Sequence, residues 1–115
     1  MRLKPLNILL TKWADFSDDY FIGDDGHIYK RLKSGYYRDR KYGYQQVRGK
    51  FGTGKQHTVR PAIACAVAFV PRKEGTTDVD HINNDKTDNR AENLQWLTHR
   101  DNLLKKSADR KEHRQ

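Results

Sequence analysis

The sequence predicts an α+β fold: a small antiparallel sheet with a scaffold helix, followed by a strand–loop–strand–helix unit that carries the chemistry. Three observations predict it. Short runs rich in Tyr, Phe, Ile and Val alternate with Gly and Asp turn signals between residues 20 and 55. One apolar run, Arg60 to Phe69, has helix length and is closed off by Pro71. Last, Val79 to Asn102 (VDHINNDKTDNRAENLQWLTHRDN) sets a polar loop between two short strands and ends inside a helix start.

A chain of 115 residues forms one small domain, and 35% hydrophobic against 33% charged residues leaves it a thin core. Within the single domain 1–115, residues 13–73 form a basic sheet with its helix, 78–106 the second unit, and 107–115 a flexible tail. Cys65 is the one cysteine, which excludes a disulfide framework and a four-cysteine zinc site and favours an intracellular, reducing setting. The apolar part of the N-terminus, Ile8 to Leu10, is too short for a signal peptide, and no run reaches membrane-spanning length.

In chain order, Trp13 to Arg31 predicts a β-hairpin, with Tyr20–Ile22 and His27–Tyr29 as strands and Asp24-Asp25-Gly26 as the turn. Two further strands are expected, around Tyr36–Tyr37 and from Tyr44 to Phe51, with a turn at Gly52 to Lys55. In the second of these, alternation puts Tyr44, Gln46, Arg48 and Lys50 on one face. The helix from Arg60 to Phe69 has Pro61 in its first turn, where a missing N–H costs nothing. Ile63, Val67 and either Ala64 or Ala66 form its apolar stripe, with Cys65 as a buried small hydrophobe. Leu94 to Leu97 is a strand. Thr98 then caps a helix from His99 to about Ala108, with Asp101 at the acidic position of a capping box.

Charge is unevenly spread. Residues 13–29 carry five acids and no Lys or Arg; residues 30–60 carry ten basic residues against Asp39 alone; residues 74–93 hold six acids against Lys86 and Arg90. A basic middle leading into an acidic segment suits an enzyme that acts on a polyanion with the help of a cation. Arg38, Arg40, Lys41, Arg48, Lys50, Lys55 and Arg60, interleaved with tyrosines, are the candidate nucleic-acid contacts. The plainer reading of any single Tyr here is core, and of a charge run a solvated face.

Asp80 and His81 are adjacent at a strand end, and Asn102 lies in the first turn of the last helix. If that helix returns across the hairpin, Asp80 and Asn102 offer two hard oxygen ligands with open positions for water and phosphate. That describes one Mg²⁺ ion, with Mn²⁺ or Ni²⁺ as substitutes, better than a closed zinc site. The His81 imidazole is suited to take a proton from water, and Asn93 to bond across the loop and keep His81 oriented. The predicted chemistry is phosphodiester hydrolysis.

Asp80-His81, Asn93 and Asn102, with the intervening DKTDNRAENLQW, resemble the HNH endonuclease motif of the phage and intron homing type, in which the final His is replaced by Asn. Trp13, DYFIGDDGHIYK, GYQQV and the helix ending in AVAFVP are similar to the module that precedes HNH in such phage enzymes, so the resemblance spans roughly residues 13 to 103. It implies a ββα-metal fold, a single divalent ion held by Asp80 and Asn102, His81 as general base, Asn93 as the structural Asn, and cleavage or nicking of double-stranded DNA. Two departures stand out. Family members commonly carry a His before the scaffold helix, where this chain has Thr58-Val59-Arg60-Pro61, so Arg60 is a substitute phosphate contact. Longer relatives add a C-terminal DNA-binding region, without which strong sequence specificity is not expected.

Other residues have plainer readings. His99, one helical turn before Asn102, is a further candidate ligand, although a surface helix His is more common. His27, His57 and His113 are read as solvated or phosphate-adjacent. Asn83, Asn84, Asp85, Asp88 and Asn89 fail the EF-hand pattern and are read as capping their own loop backbone. Trp96 is read as core. The expected protein is therefore a metal-dependent DNA endonuclease of a phage or mobile element, a monomer or weak dimer without membrane contact. The alternative is a catalytically inactive nucleic-acid-binding protein that uses the basic 30–60 sheet, or one directed at RNA.

Overall fold

The computed structural model describes residues 1–35, 37–40, 45–48 and 56–112, with the side chains of 37–40, 45–48, 56 and 109–112 left aside. Strands β1 (Leu3–Pro5), β2 (Tyr20–Gly23), β3 (Ile28–Arg31) and β4 (Tyr37–Arg40) form an antiparallel sheet in that order. A second antiparallel pair joins β5 (Gln45–Arg48) to β6 (Gln56–Val59). Helix α1 (Pro61–Phe69) follows, then β7 (Asp78–His81) paired with β8 (Leu94–Leu97), then α2 (His99–Glu112). The α+β class with antiparallel pairing is as expected, with β7–β8 as the separate pair of the second unit; among the described residues, however, the strands before α1 divide between two sheets where one was expected.

The predicted hairpin is β2–β3, with Phe21 opposite Tyr29 and Ile22 opposite Ile28. Its turn needs glycine: Gly26 has φ +82, and its N–H donates to Gly23 O at 3.0 Å. Strand β1 was not foreseen. Three residues carry no periodic signal, and their partner lies some twenty residues downstream, with Leu3 opposite Gly23. Leu6, just after β1, is fully buried, and Lys4 Nζ donates to Ala68 O at 2.7 Å, tying the N-terminus to α1. Strand β6 falls where the sequence suggested only the approach to the scaffold helix, and its Val59 is buried beneath that helix start.

Helix α1 begins with Pro61 at N1 and stops as Val70 turns extended ahead of Pro71. Its buried positions are Ala64, Cys65, Ala66 and Ala68, whereas Ile63 and Val67 are only partly buried, so the predicted stripe is displaced. The reason is close approach: Cys65 Sγ lies 3.7 Å from Gly23 O, a distance that larger side chains on this face would prevent. Burial also pushes the Cys65 thiol up to about 12, with the Asp24 and Asp25 charges adding to it. Trp13, Phe16, Tyr20, Ile22, Ile28 and Leu94 complete the core around α1. Helix α2 extends past Ala108 to Glu112, longer than expected and into the stretch read as a tail. Among the described residues no helix is long and apolar enough to cross a membrane.

Candidate active site

The site is built on β7, β8, the loop 82–93 and the first turns of α2. In the β7–β8 ladder Asp80 faces Gln95 and His81 faces Leu94. The loop is folded by its own polar side chains, which explains its density of Asn and Asp. Asn83 Oδ1 accepts from Asp85 N and Asp85 Oδ1 from Thr87 N, both at 2.9 Å, and Asn84 takes φ +64, which Asn tolerates. Arg90 donates to both oxygens of Asp88 at 2.8 Å, and this holds the Asp88 carboxyl down at about 2.

Asn93, 6% exposed, knits the loop closed. Its Oδ1 accepts from Asn83 N at 3.1 Å, and its Nδ2 donates to Asn83 Oδ1 and Asp88 O at 2.9 Å. Its backbone O accepts from Ile82 N at 2.8 Å, directly after His81. The ring of His81, however, is held by another residue: His81 Nε2 lies 2.7 Å from Asn89 Oδ1. Asn89 is in turn backed by the β2–β3 turn. A Cβ on Gly26 would stand 2.2 Å from Asn89 O, and Ala91 N donates to Asp24 O at 2.9 Å. The N-terminal sheet thus presses against the loop that holds the imidazole.

Asp80 and Asn102 each have distinct partners. The Asp80 side chain, 11% exposed, accepts at Oδ2 from Gln95 Nε2 at 2.8 Å and from Lys105 Nζ at 2.7 Å. Lys105 Nζ also donates to His81 O at 2.9 Å. Asn102, 7% exposed, donates through Nδ2 to Asp78 Oδ2 at 2.9 Å. Asp78 shares a strand face with Asp80, two residues on. Hydrogen bonds from Asn102, His99 and Thr77, in that order of effect, hold the Asp78 carboxyl down at about 2. Among the described residues, Asp80 Oδ1 and Asn102 Oδ1 have no partner. Two oxygens of this kind, one anionic and both shielded from bulk water, fit a hard divalent cation; no group of three or more His, Cys, Asp or Glu is gathered among the described residues.

This arrangement has counterparts among known proteins. The family model for HNH endonucleases matches residues 66–104, from the middle of α1 to the first turn and a half of α2. Over those residues the chain is similar to HNH endonucleases. An uncharacterised HNH endonuclease of Acanthamoeba polyphaga mimivirus is 52% identical over 40 residues, which are 33% of this chain and 10% of that protein. The solved structure described as DNA binding and cleavage by the HNH homing endonuclease I-HmuI superimposes with a TM-score of 0.65 at 26% identity, covering 95% of this chain and 59% of that one. The chain therefore spans a tenth of the length of the first relative and about three fifths of the second.

Within the HNH unit, His99 is 71% exposed and bonds Asp78 at 2.9 Å. Of the candidate DNA contacts, Arg38 and Arg40 occupy alternate positions of β4, opposite Lys30 and Ile28, and Arg48 stands opposite Gln56. Arg60 is exposed at the entry to α1. Lys41, Lys50 and Lys55 lie outside the described residues, as do Tyr36, Tyr42, Tyr44, Phe51 and His113. His57, read as solvated or phosphate-adjacent, is half-buried with its ring 5.1 Å from that of Phe16. Trp96 is half-buried, donates from Nε1 to Val70 O at 3.1 Å, and has Arg72 4.8 Å above its ring. Three residues at the site, Asp78, Gln95 and Lys105, went unassigned in the sequence, and Asn89 was read only as capping its own loop backbone, whereas it bonds the His81 ring. Strand alternation pairs Asp78 with Asp80, and helical spacing pairs Lys105 with Asn102; Asn89 and Gln95 carry no such local signal.

Proposed function

We propose that this chain is a metal-dependent endonuclease that hydrolyses phosphodiester bonds of double-stranded DNA, nicking or cleaving it. The observation that carries the reading is that Asp80 and His81 adjoin on β7 while Asn102 of α2 bonds Asp78 of the same strand, all within the residues similar to HNH endonucleases. Asp80 and Asn102 would hold one divalent ion, Mg²⁺ being the ordinary choice for two hard oxygens with water and phosphate completing the shell. When bound, that ion supplies charge neutralisation at the scissile phosphate and at the leaving oxygen.

The remaining work falls to the chain itself. His81 accepts a proton from a water molecule; the water oxygen bonds to phosphorus as the bond from phosphorus to the leaving 3′ oxygen breaks. Asn89 restricts rotation of the His81 ring, so the imidazole need not reorganise as the proton transfers. Asn93 keeps the loop closed beneath it. Arg38, Arg40, Arg48 and Arg60, with Lys41, Lys50 and Lys55, supply cationic positions for the phosphate backbone. DNA as the polymer is favoured by the likeness to I-HmuI over 95% of this chain, whose structure is described as one of DNA binding and cleavage.

The test is supercoiled plasmid incubated with the protein and Mg²⁺. Nicked or linear product is expected, with EDTA stopping its formation. His81→Ala is expected to slow cleavage by about 10²- to 10⁴-fold while DNA affinity stays near that of the parent. Absence of cleavage with Mg²⁺, Mn²⁺ and Ni²⁺ alike, with DNA binding intact, would establish the catalytically inactive binding protein instead.

A further inference from the structure

We infer that Asp78 is a positioning residue: it fixes the side-chain amide of Asn102 with its nitrogen turned away and its oxygen presented to the ion that Asp80 shares. This rests on the reading of Asp80 and Asn102 as the ligand pair. The two ends of an Asn side chain have almost the same shape, one a donor and the other an acceptor. Only the oxygen can serve a hard cation, so an amide free to flip would offer the wrong end for part of the time.

Asp78 removes that freedom. An ionised carboxylate only accepts, and its Oδ2 lies 2.9 Å from Asn102 Nδ2. Flipping the amide would set its oxygen against a carboxylate oxygen and lose a charge-assisted hydrogen bond. The carboxylate is itself held from two other sides, by His99 Nδ1 on Oδ2 at 2.9 Å and by Thr77 Oγ1 on Oδ1 at 2.9 Å. Those three donors come from three places in the fold: the residue before β7, the first residue of α2, and the α2 residue one turn on. Asp78 is thus occupied by protein donors, whereas Asn102 Oδ1 has no partner among the described residues. Because alternate strand residues share a face, Asp80 lies on the same side of β7 as the carboxylate that takes the amide nitrogen.

The experiment is a Mn²⁺ titration followed by electron paramagnetic resonance of the free ion, on the full chain and on Asp78→Ala, Asn102→Ala and the double variant. The parent is expected to bind one Mn²⁺, and each single variant to bind it about 10- to 100-fold more weakly, the usual cost of losing a partner that orients a ligand. The double variant is expected to bind no more weakly than Asn102→Ala alone, since Asp78 acts through Asn102. A parent that fails to bind Mn²⁺, or an Asn102→Ala variant that binds it as the parent does, overturns the ligand assignment and this inference with it. Parent-like binding by Asp78→Ala overturns the inference alone. So does a full additional loss in the double variant, which would make Asp78 a ligand in its own right. A metal-free readout runs beside these: the Asn102 side-chain amide protons should show slowed solvent exchange in the parent and lose it in Asp78→Ala. If Asp78→Ala does not fold, Asp78→Val removes the same acceptor while suiting a strand.

Discussion

Gly26 makes the sharpest demand that the N-terminal sheet places on the active-site loop, and replacing it by Ala measures that demand. Two effects add. The residue sits at φ +82, where any side chain is strained, at a cost of about 1–2 kcal/mol. A Cβ would also stand 2.2 Å from the backbone oxygen of Asn89 and 2.6 Å from its Cβ, so the loop must retreat by about an ångström; overpacking of that kind costs a further 1–3 kcal/mol or so. Gly75 supplies the control. It has φ +81 and nothing within 4 Å of an added Cβ, so Gly75→Ala carries the backbone strain alone. With a shift of roughly 4–8 °C per kcal/mol in a domain near this size, Gly26→Ala should melt about 8–40 °C below the parent and Gly75→Ala, with the strain alone, about 4–16 °C below. Thermal unfolding followed by circular dichroism reads both. Because Asn89 holds the His81 ring, plasmid cleavage below both melting temperatures should fall in Gly26→Ala and stay near the parent rate in Gly75→Ala. Equal melting shifts for the two variants would refute the docking of the hairpin turn on the loop.

Asn93→Ala removes one acceptor and two donations from a buried position and leaves Asn83 N without its partner, a loss of about 2 kcal/mol in denaturant unfolding. Amide exchange should accelerate across 82–93 and not in β2 and β3; unchanged protection of the loop would contradict the role drawn for Asn93. Acid stability gives another check. Arg90 holds Asp88 at about 2 and Asn102 holds Asp78 at about 2, both below the roughly 3.9 of an unfolded Asp. Their contribution is therefore complete above about pH 4 and is lost as pH falls through about 2. Melting temperature should drop across that window, Asp88→Asn should flatten part of the drop, and salt should shrink it because both carboxylates touch solvent. An unaltered slope in Asp88→Asn would show that the Arg90 pair contributes nothing.

What the sequence disclosed follows from where each signal resides. The β2–β3 hairpin was legible because Asp24-Asp25-Gly26 is a local turn signal, and α1 because Pro61 and Pro71 bracket it. Strands β1 and β6 were not, since each is short and takes its meaning from a partner elsewhere in the chain. The face of α1 was unreadable for a different reason: nearly all nine of its residues are apolar, so no period singles out the small-residue side that meets Gly23. At the site, Asp80, His81, Asn93 and Asn102 stood out by spacing. Their partners did not, because the Asn89 contact depends on how the loop folds and the Lys105 contact on how α2 crosses β7.

That crossing accounts for the choice of side chains. Alternate residues of a strand are about 6.7 Å apart, whereas helix residues three apart advance only about 4.5 Å. His99 and Asn102 both meet Asp78, so the helix lies close to β7 there and a short amide suffices. The next position on the same helical face, Lys105, meets Asp80 through a long flexible stem, which suits the larger advance of the strand. Its ammonium reaches Asp80 Oδ2 and then the carbonyl oxygens of His81 and Ile82, at 2.9 and 3.3 Å. A carboxylate as shielded as Asp80 would be strongly destabilising if left unpaired, and the ammonium together with Gln95 prevents that. Helix α2 therefore does two things with one face: it brings Asn102 beside the acidic face of β7, and one turn later it supplies the charge that lets Asp80 stay shielded from water.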